Sequence, residues 1–109
     1  MDKAVSREQL KQKFIRGDIF HLIEVLKEDG QVPERLPGTV VIPLRQLEEL
    51  SAKLLLNKEA EIVFYSMNNG SRPSAEAASE LAAMGYRNVF EYREGKRDWV
   101  ASGLPVEHL

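Results

Sequence analysis

The stretch Glu61-Ile62-Val63-Phe64-Tyr65-Ser66-Met67-Asn68-Asn69-Gly70-Ser71-Arg72-Pro73-Ser74 decides the fold. Its first five residues read as a strand, with β-branched or aromatic Ile62-Val63-Phe64-Tyr65 following Glu61. From Ser66 to Pro73 the chain turns polar, and Asn69-Gly70 marks a loop. A helix is predicted from about Ser74 to Met84, with Ala77, Ala78, Leu81 and Ala82 on one close-packing face and Gly85 as its stop. Strand, polar loop and helix in that order form one half of a parallel-sheet unit.

Working outward, the same alternation recurs. Upstream, Leu47, Leu50 and Leu54 give the inner stripe of a helix at about 44–56, preceded by a short strand, Thr39-Val40-Val41-Ile42, that Pro43 ends. Residues 27–38, with Asp29-Gly30, Pro33 and Pro37-Gly38, read as loop. Ile19 to Val25 reads as another buried strand. Before it, Ser6-Arg7-Glu8-Gln9 has capping-box spacing, with Leu10 and Phe14 following at helical spacing until Gly17. Downstream, Val89-Phe90-Glu91-Tyr92 is a strand, Gly95 a turn, and Arg97 to Ala101 a short helix around Trp99. The pattern predicts a single α/β domain over residues 1–109 with a largely parallel sheet.

Composition narrows the chemistry. The 109 residues are 43% hydrophobic and 29% charged, with a net charge of −2 and no cysteine. Without cysteine there is no disulfide, thiolate metal site, cysteine nucleophile or protein-bound persulfide. Fifteen basic against 17 acidic residues give no bulk field for nucleic acid. No apolar run approaches the ~20 residues of a membrane span, and Met1-Asp2-Lys3 has no signal-peptide core. The expectation is a soluble, cytoplasmic domain without metal or cofactor, and with neither nucleic acid nor membrane as partner.

In open parallel sheets, ligands sit beyond the carboxyl ends of the strands, near helix N-termini. The loop after Tyr65 lies there. Asn68, Asn69 and Ser71 can donate hydrogen bonds, Gly70 lets backbone N–H groups turn inward, and Arg72 offers a rigid fork of donors. The start of the following helix adds partial positive charge. Such a loop suits an anion, although the same residues also make an ordinary strand-to-helix turn.

The chain resembles a single-domain rhodanese. The resemblance runs through Leu22-Ile23-Glu24-Val25, Arg35-Leu36-Pro37-Gly38-Thr39-Val40-Val41-Ile42-Pro43 and Glu61–Tyr65. It continues through Ala77-Ala78, Leu81, Gly85-Tyr86-Arg87-Asn88-Val89, Asp98-Trp99 and Gly103-Leu104-Pro105-Val106. It implies a three-layer domain whose five-stranded, mostly parallel sheet is flanked by helices, with a short first strand around Ala4-Val5. It also implies that Ser66–Arg72 is the active-site loop.

Rhodaneses carry sulfur on a cysteine directly after this strand, where Ser66 stands. A serine hydroxyl is un-ionised at neutral pH, cannot hold a transferable sulfur, and needs an adjacent base to act as a nucleophile. Glu24 is one candidate base. His21 reads as a packed or edge histidine and His108 lies near the C-terminus. Glu24 stands where relatives often have aspartate, Leu26 where they often have arginine, Arg35 where histidine is frequent, and Lys96 where an apolar residue is usual. Five residues separate Ser66 from Arg72, a spacing similar to that of rhodanese-fold phosphatases and arsenate reductases.

Three readings follow. The first is a cysteine-less domain, inactive in sulfur transfer, with Ser66 in the catalytic position. Its loop, Met67, Asn68, Asn69, Gly70, Ser71 and Arg72, binds a small oxyanion (phosphate, sulfate, thiosulfate) or a protein partner. The second is a thiosulfate sulfurtransferase or a phosphatase- or arsenate-reductase-like enzyme whose native cysteine Ser66 replaces. The third is an interaction domain with an idle loop. Trp99, Phe90 and Tyr92 are expected in the core, the run from Arg93 to Asp98 as a solvated turn, and Lys11, Lys13 and Arg16 on the outer face of the first helix.

Overall fold

A computed structural model describes residues 3–28, 32–68 and 72–108. A central sheet holds four parallel strands: β1 (His21–Leu26), β3 (Thr39–Pro43), β4 (Glu61–Tyr65) and β5 (Asn88–Tyr92), in the spatial order β3-β1-β4-β5. Helices α1 (Arg7–Arg16), α2 (Leu47–Leu54), α3 (Pro73–Ala83) and α4 (Gly95–Ala101) complete the α/β architecture. A separate antiparallel pair joins β2 (Glu34–Arg35) to β6 (Glu107–His108).

Strand alternation splits the core into two halves. Ile23, Val25, Ile62 and Phe64 pack with Leu47 of α2 and with Ala77 and Leu81 of α3. On the other face Leu22, Val63, Tyr65 and Tyr92 pack with Leu10 of α1 and Trp99 of α4. Both faces are covered, which is why β1 and β4 read as nearly continuous apolar runs. The capping box at α1 forms as its sequence predicts: the Ser6 hydroxyl accepts from the Gln9 N–H, and the Gln9 side chain accepts from the Ser6 N–H.

Several boundaries differ from the sequence reading. The fifth strand around Ala4-Val5 reduces to a single bridge between Ala4 and Glu91, held by the backbone bonds Val5 N to Glu91 O and Glu91 N to Lys3 O. Ile19 and Phe20 precede β1 rather than belonging to it, and Ile19 is exposed. The helix at 44–56 divides into a 3-10 turn over Leu44–Gln46 and α2. α2 closes at Leu54, which is exposed, and Leu55 enters the core in its place. Within the loop at 27–38, Glu34 and Arg35 pair with β6; Asp29 and Gly30 lie outside the described residues.

Two side chains also depart from expectation. Lys13 does not lie on the outer face of α1: it pairs with Glu61 and lies over the Phe20 and Phe90 rings. The segment from Arg93 to Asp98 is not a solvated turn, because α4 begins at Gly95 and Lys96 is buried. As expected, Tyr92 and Trp99 are buried, and Phe90 packs partly buried against them. His21 is exposed at the start of β1.

Candidate functional site

β4 delivers Ser66 to the carboxyl end of the sheet, between the end of β1 and the start of α3. Ser66 is buried, and its hydroxyl is engaged twice. It accepts from the Ser74 N–H at 2.9 Å and donates to the Val25 carbonyl at 3.4 Å. Glu24 does not hydrogen-bond Ser66, so its expected role as a base for that hydroxyl has no geometric support. His21 and His108 are both exposed, on β1 and β6.

The start of α3 offers less to an anion than its position suggests. Pro73, its first residue, has no N–H. The next N–H, that of Ser74, goes to Ser66, and the Glu76 N–H goes to the Arg72 carbonyl. The Ser74 hydroxyl donates to Glu91 Oε2 at 2.8 Å. Arg72 is exposed, and its guanidinium has no hydrogen bond or ion pair among the described residues. Met67 is exposed and Asn68 half-buried, while Asn69, Gly70 and Ser71 lie outside the described residues. The part of the predicted cradle that the structure describes is therefore Met67, Asn68 and Arg72 around a buried Ser66.

The first turn of α4 holds this loop from the other side. The Lys96 N–H donates to the Ser66 carbonyl at 2.9 Å, and the Arg97 N–H to the Met67 carbonyl at 2.8 Å. Gly95 makes the approach possible. It sits at φ 76°, and a Cβ there would lie 2.7 Å from the Ser66 carbonyl oxygen and 2.9 Å from the Asn68 nitrogen. Only glycine tolerates both the backbone conformation and the contact.

Beneath the loop lies a polar network that joins Glu24, a candidate base in the sequence, to Lys96, from the run expected to be solvated. Alternation along β1 turns Glu24 toward the α1/α4 face, opposite Tyr65 in register. Its Oε2 accepts from Lys96 Nζ at 2.9 Å, and both residues are more than nine-tenths buried, at 1% and 6% exposure. Lys96 Nζ also donates to the Glu34 carbonyl at 2.9 Å, tying α4 to β1 and β2 together. Glu24 Oε1 has no hydrogen-bond partner among the described residues.

The Tyr65 hydroxyl meets Thr39 Oγ1 at 2.8 Å and accepts from the Leu36 N–H at 3.2 Å. Burial pushes its pKa up and the Glu24 carboxylate adds to the rise, against the opposing hydrogen bonds from Thr39 and Leu36. Tyr92 donates to Asp98 Oδ2 at 2.6 Å, and burial followed by that carboxylate raises its pKa as well. One sequence signal pointed here: Lys96 follows Gly95 at a position where the resemblance implies an apolar side chain. A cation there needs a buried partner, and Glu24 is that partner.

A model of the rhodanese-like domain matches residues 6–102. The chain belongs to the rhodanese-like domain family. Against the putative sulfur carrier protein YrkF of Bacillus subtilis it is 30% identical over 95 residues, covering 87% of this chain and 49% of that protein. The chain thus spans about half the length of that relative. Among solved structures, the BH2092 protein of Bacillus halodurans superposes with a TM-score of 0.85 at 20% identity, over 98% of this chain and 77% of that one. Human single-domain sulfurtransferase TSTD1 gives 0.73 at 21% identity, over 93% and 97%. At such identities these structures establish the rhodanese-like fold alone. Among the described residues, no group of three or more His, Asp or Glu is placed to hold a metal ion, and no helix is long and apolar enough to cross a membrane.

Proposed function

We propose that this rhodanese-like domain is inactive in sulfur transfer and that its loop binds a small oxyanion weakly through Arg72. The observation that carries the reading is the state of Ser66. Its hydroxyl is buried between a carbonyl and an N–H, with no base hydrogen-bonded to it among the described residues and no ionisable proton at neutral pH. Arg72 stands exposed at the mouth of the same loop and is unpaired among the described residues. Its planar fork suits phosphate, sulfate or thiosulfate, or an anionic group of a protein partner. With the Ser74 N–H already engaged, affinity rests on Arg72 and the loop itself, so binding is millimolar in scale and falls with ionic strength.

The test is an amide NMR titration with phosphate, sulfate, arsenate and thiosulfate on the chain and on Arg72→Ala. Saturable shifts at residues 67, 68 and 72–75 that vanish in the variant support the reading. Absence of shifts at millimolar anion rejects the anion site and leaves a protein-interaction module. A second reading, an enzyme whose native cysteine Ser66 replaces, draws on the Bacillus relative described as a putative sulfur carrier. Ser66→Cys distinguishes the two. Turnover of thiosulfate or a phosphomonoester by that variant supports the second, and continued inactivity supports the first.

A further inference from the structure

We propose that the cleft between Met67 and α4 binds a small organic anion, with one acidic head on a short alkyl or aryl body. This cleft shares Met67 with the loop that carries Arg72, but its cation is Arg97, so it does not depend on the oxyanion reading. The cleft has a volume of about 400 Å³, which falls within the range of small-molecule sites. Its walls are apolar. Pro33 and Ala101 flank Met67 and Val100, which are 47% and 38% exposed. Methionine is also the side chain that best reshapes around an apolar guest.

The side-chain donors of the cleft, Lys96 and Arg97, are cationic. An ammonium has three protons. Two of those on Lys96 go to Glu24 Oε2 and the Glu34 carbonyl, and the third has no partner among the described residues. Glu24 neutralises that charge, so the cation left to meet a ligand is Arg97. Its guanidinium is exposed, with no hydrogen bond or ion pair among the described residues. Glu34 also borders the cleft, and its negative charge works against an anion. An inorganic oxyanion would leave Met67 and Val100 in water, and a neutral apolar molecule would leave Arg97 unmatched. An organic anion satisfies both.

Amide NMR titration with straight-chain alkyl sulfonates from methane- to hexanesulfonate, against inorganic sulfate and hexanol, tests this. Affinity for the sulfonates should climb with length by up to about fourfold per methylene, the fold-change equivalent to burying one CH₂ group. Shifts should centre on residues 67, 96, 97 and 100. Arg97→Ala should weaken hexanesulfonate fivefold or more without changing hexanol. Val100→Ser should flatten the dependence on length, and Glu34→Gln should tighten binding. Arg97 and Val100 are exposed, so these variants keep the fold. Arg72→Ala should leave sulfonate binding intact, even where it abolishes inorganic sulfate binding. Equal affinity for methane- and hexanesulfonate, insensitivity to Arg97→Ala, or loss of sulfonate binding in Arg72→Ala would each overturn the proposal.

Discussion

The two faces of the central sheet are built on different principles. The face under α2 and α3 is a continuous apolar layer of Ile23, Val25, Ile42, Ile62, Phe64, Leu47, Leu55, Ala77 and Leu81, edged by Tyr86, whose hydroxyl donates to the Leu55 carbonyl at 2.6 Å. The face under α1 and α4 starts from similar residues, Leu10, Leu22, Leu36, Val63 and Trp99. It then admits Glu24, Lys96, Thr39 and two tyrosine hydroxyls. Apolar burial is non-directional, so the first face fixes that α2 and α3 pack but tolerates small shifts. Hydrogen bonds and the buried ion pair are directional, and they fix where α4, β2 and residues 66–68 lie relative to β1. The polar face supplies the α4 side of the candidate site, and the apolar face supplies the start of α3.

Breaking the ion pair from one side should separate the faces most sharply. Lys96→Met leaves Glu24 buried without its cation and should cost about 3–5 kcal/mol in urea unfolding. The double variant Lys96→Met/Glu24→Gln should recover a large part of that loss, because the uncompensated charge is gone. A double variant no more stable than Lys96→Met would show that the cost is packing rather than charge. On the apolar face, Leu81→Ala should cost about 3 kcal/mol. That loss should add to the Lys96→Met loss, since the two side chains belong to opposite layers.

Smaller effects sharpen the contrast. Ser66→Ala strands the Ser74 N–H and should cost about 1–3 kcal/mol, whereas a purely catalytic hydroxyl would be removed at no loss of stability. The tyrosines give the polar face a pH signature. The Tyr65 and Tyr92 pKa values are raised on folding, so the unfolded chain loses these protons first. Their contribution is complete below the unfolded value near ~10 and declines as pH rises beyond it. Thermal melts between pH 9 and 11 should show that decline. Tyr65→Phe should lower stability at neutral pH by about 1–2 kcal/mol and make the alkaline slope shallower.

Much of this architecture was legible in local signals. β4, the capping box before α1, Ala77, Ala78 and Leu81 on the packed face of α3 and the position of the loop all follow from periodicity and turn residues that act over a few positions, whereas Ala82, expected on that face, is exposed. The misreadings have a common cause. Lys96 among charged neighbours looks solvated, because its partner lies 72 positions away and spacing within one segment does not register such a contact. Glu34 and Arg35 have no strand pattern of their own, and their pairing with Glu107 and His108 depends on where the chain returns. The division near residue 46 and the outward turn of Leu54 depend on how α2 meets the sheet. Within the candidate site, the sequence places Ser66 and Arg72 on one loop, but not that the Ser74 N–H is already engaged by the serine.

The approach at Gly95 has a mechanical consequence. Ser66–Asn68 and the first turn of α4 are nearly thirty residues apart along the chain, yet they are bolted together by two backbone bonds and a contact with no room for a methyl group. A displacement of the first turn of α4 must therefore either carry residues 66–68 with it or break both of those bonds.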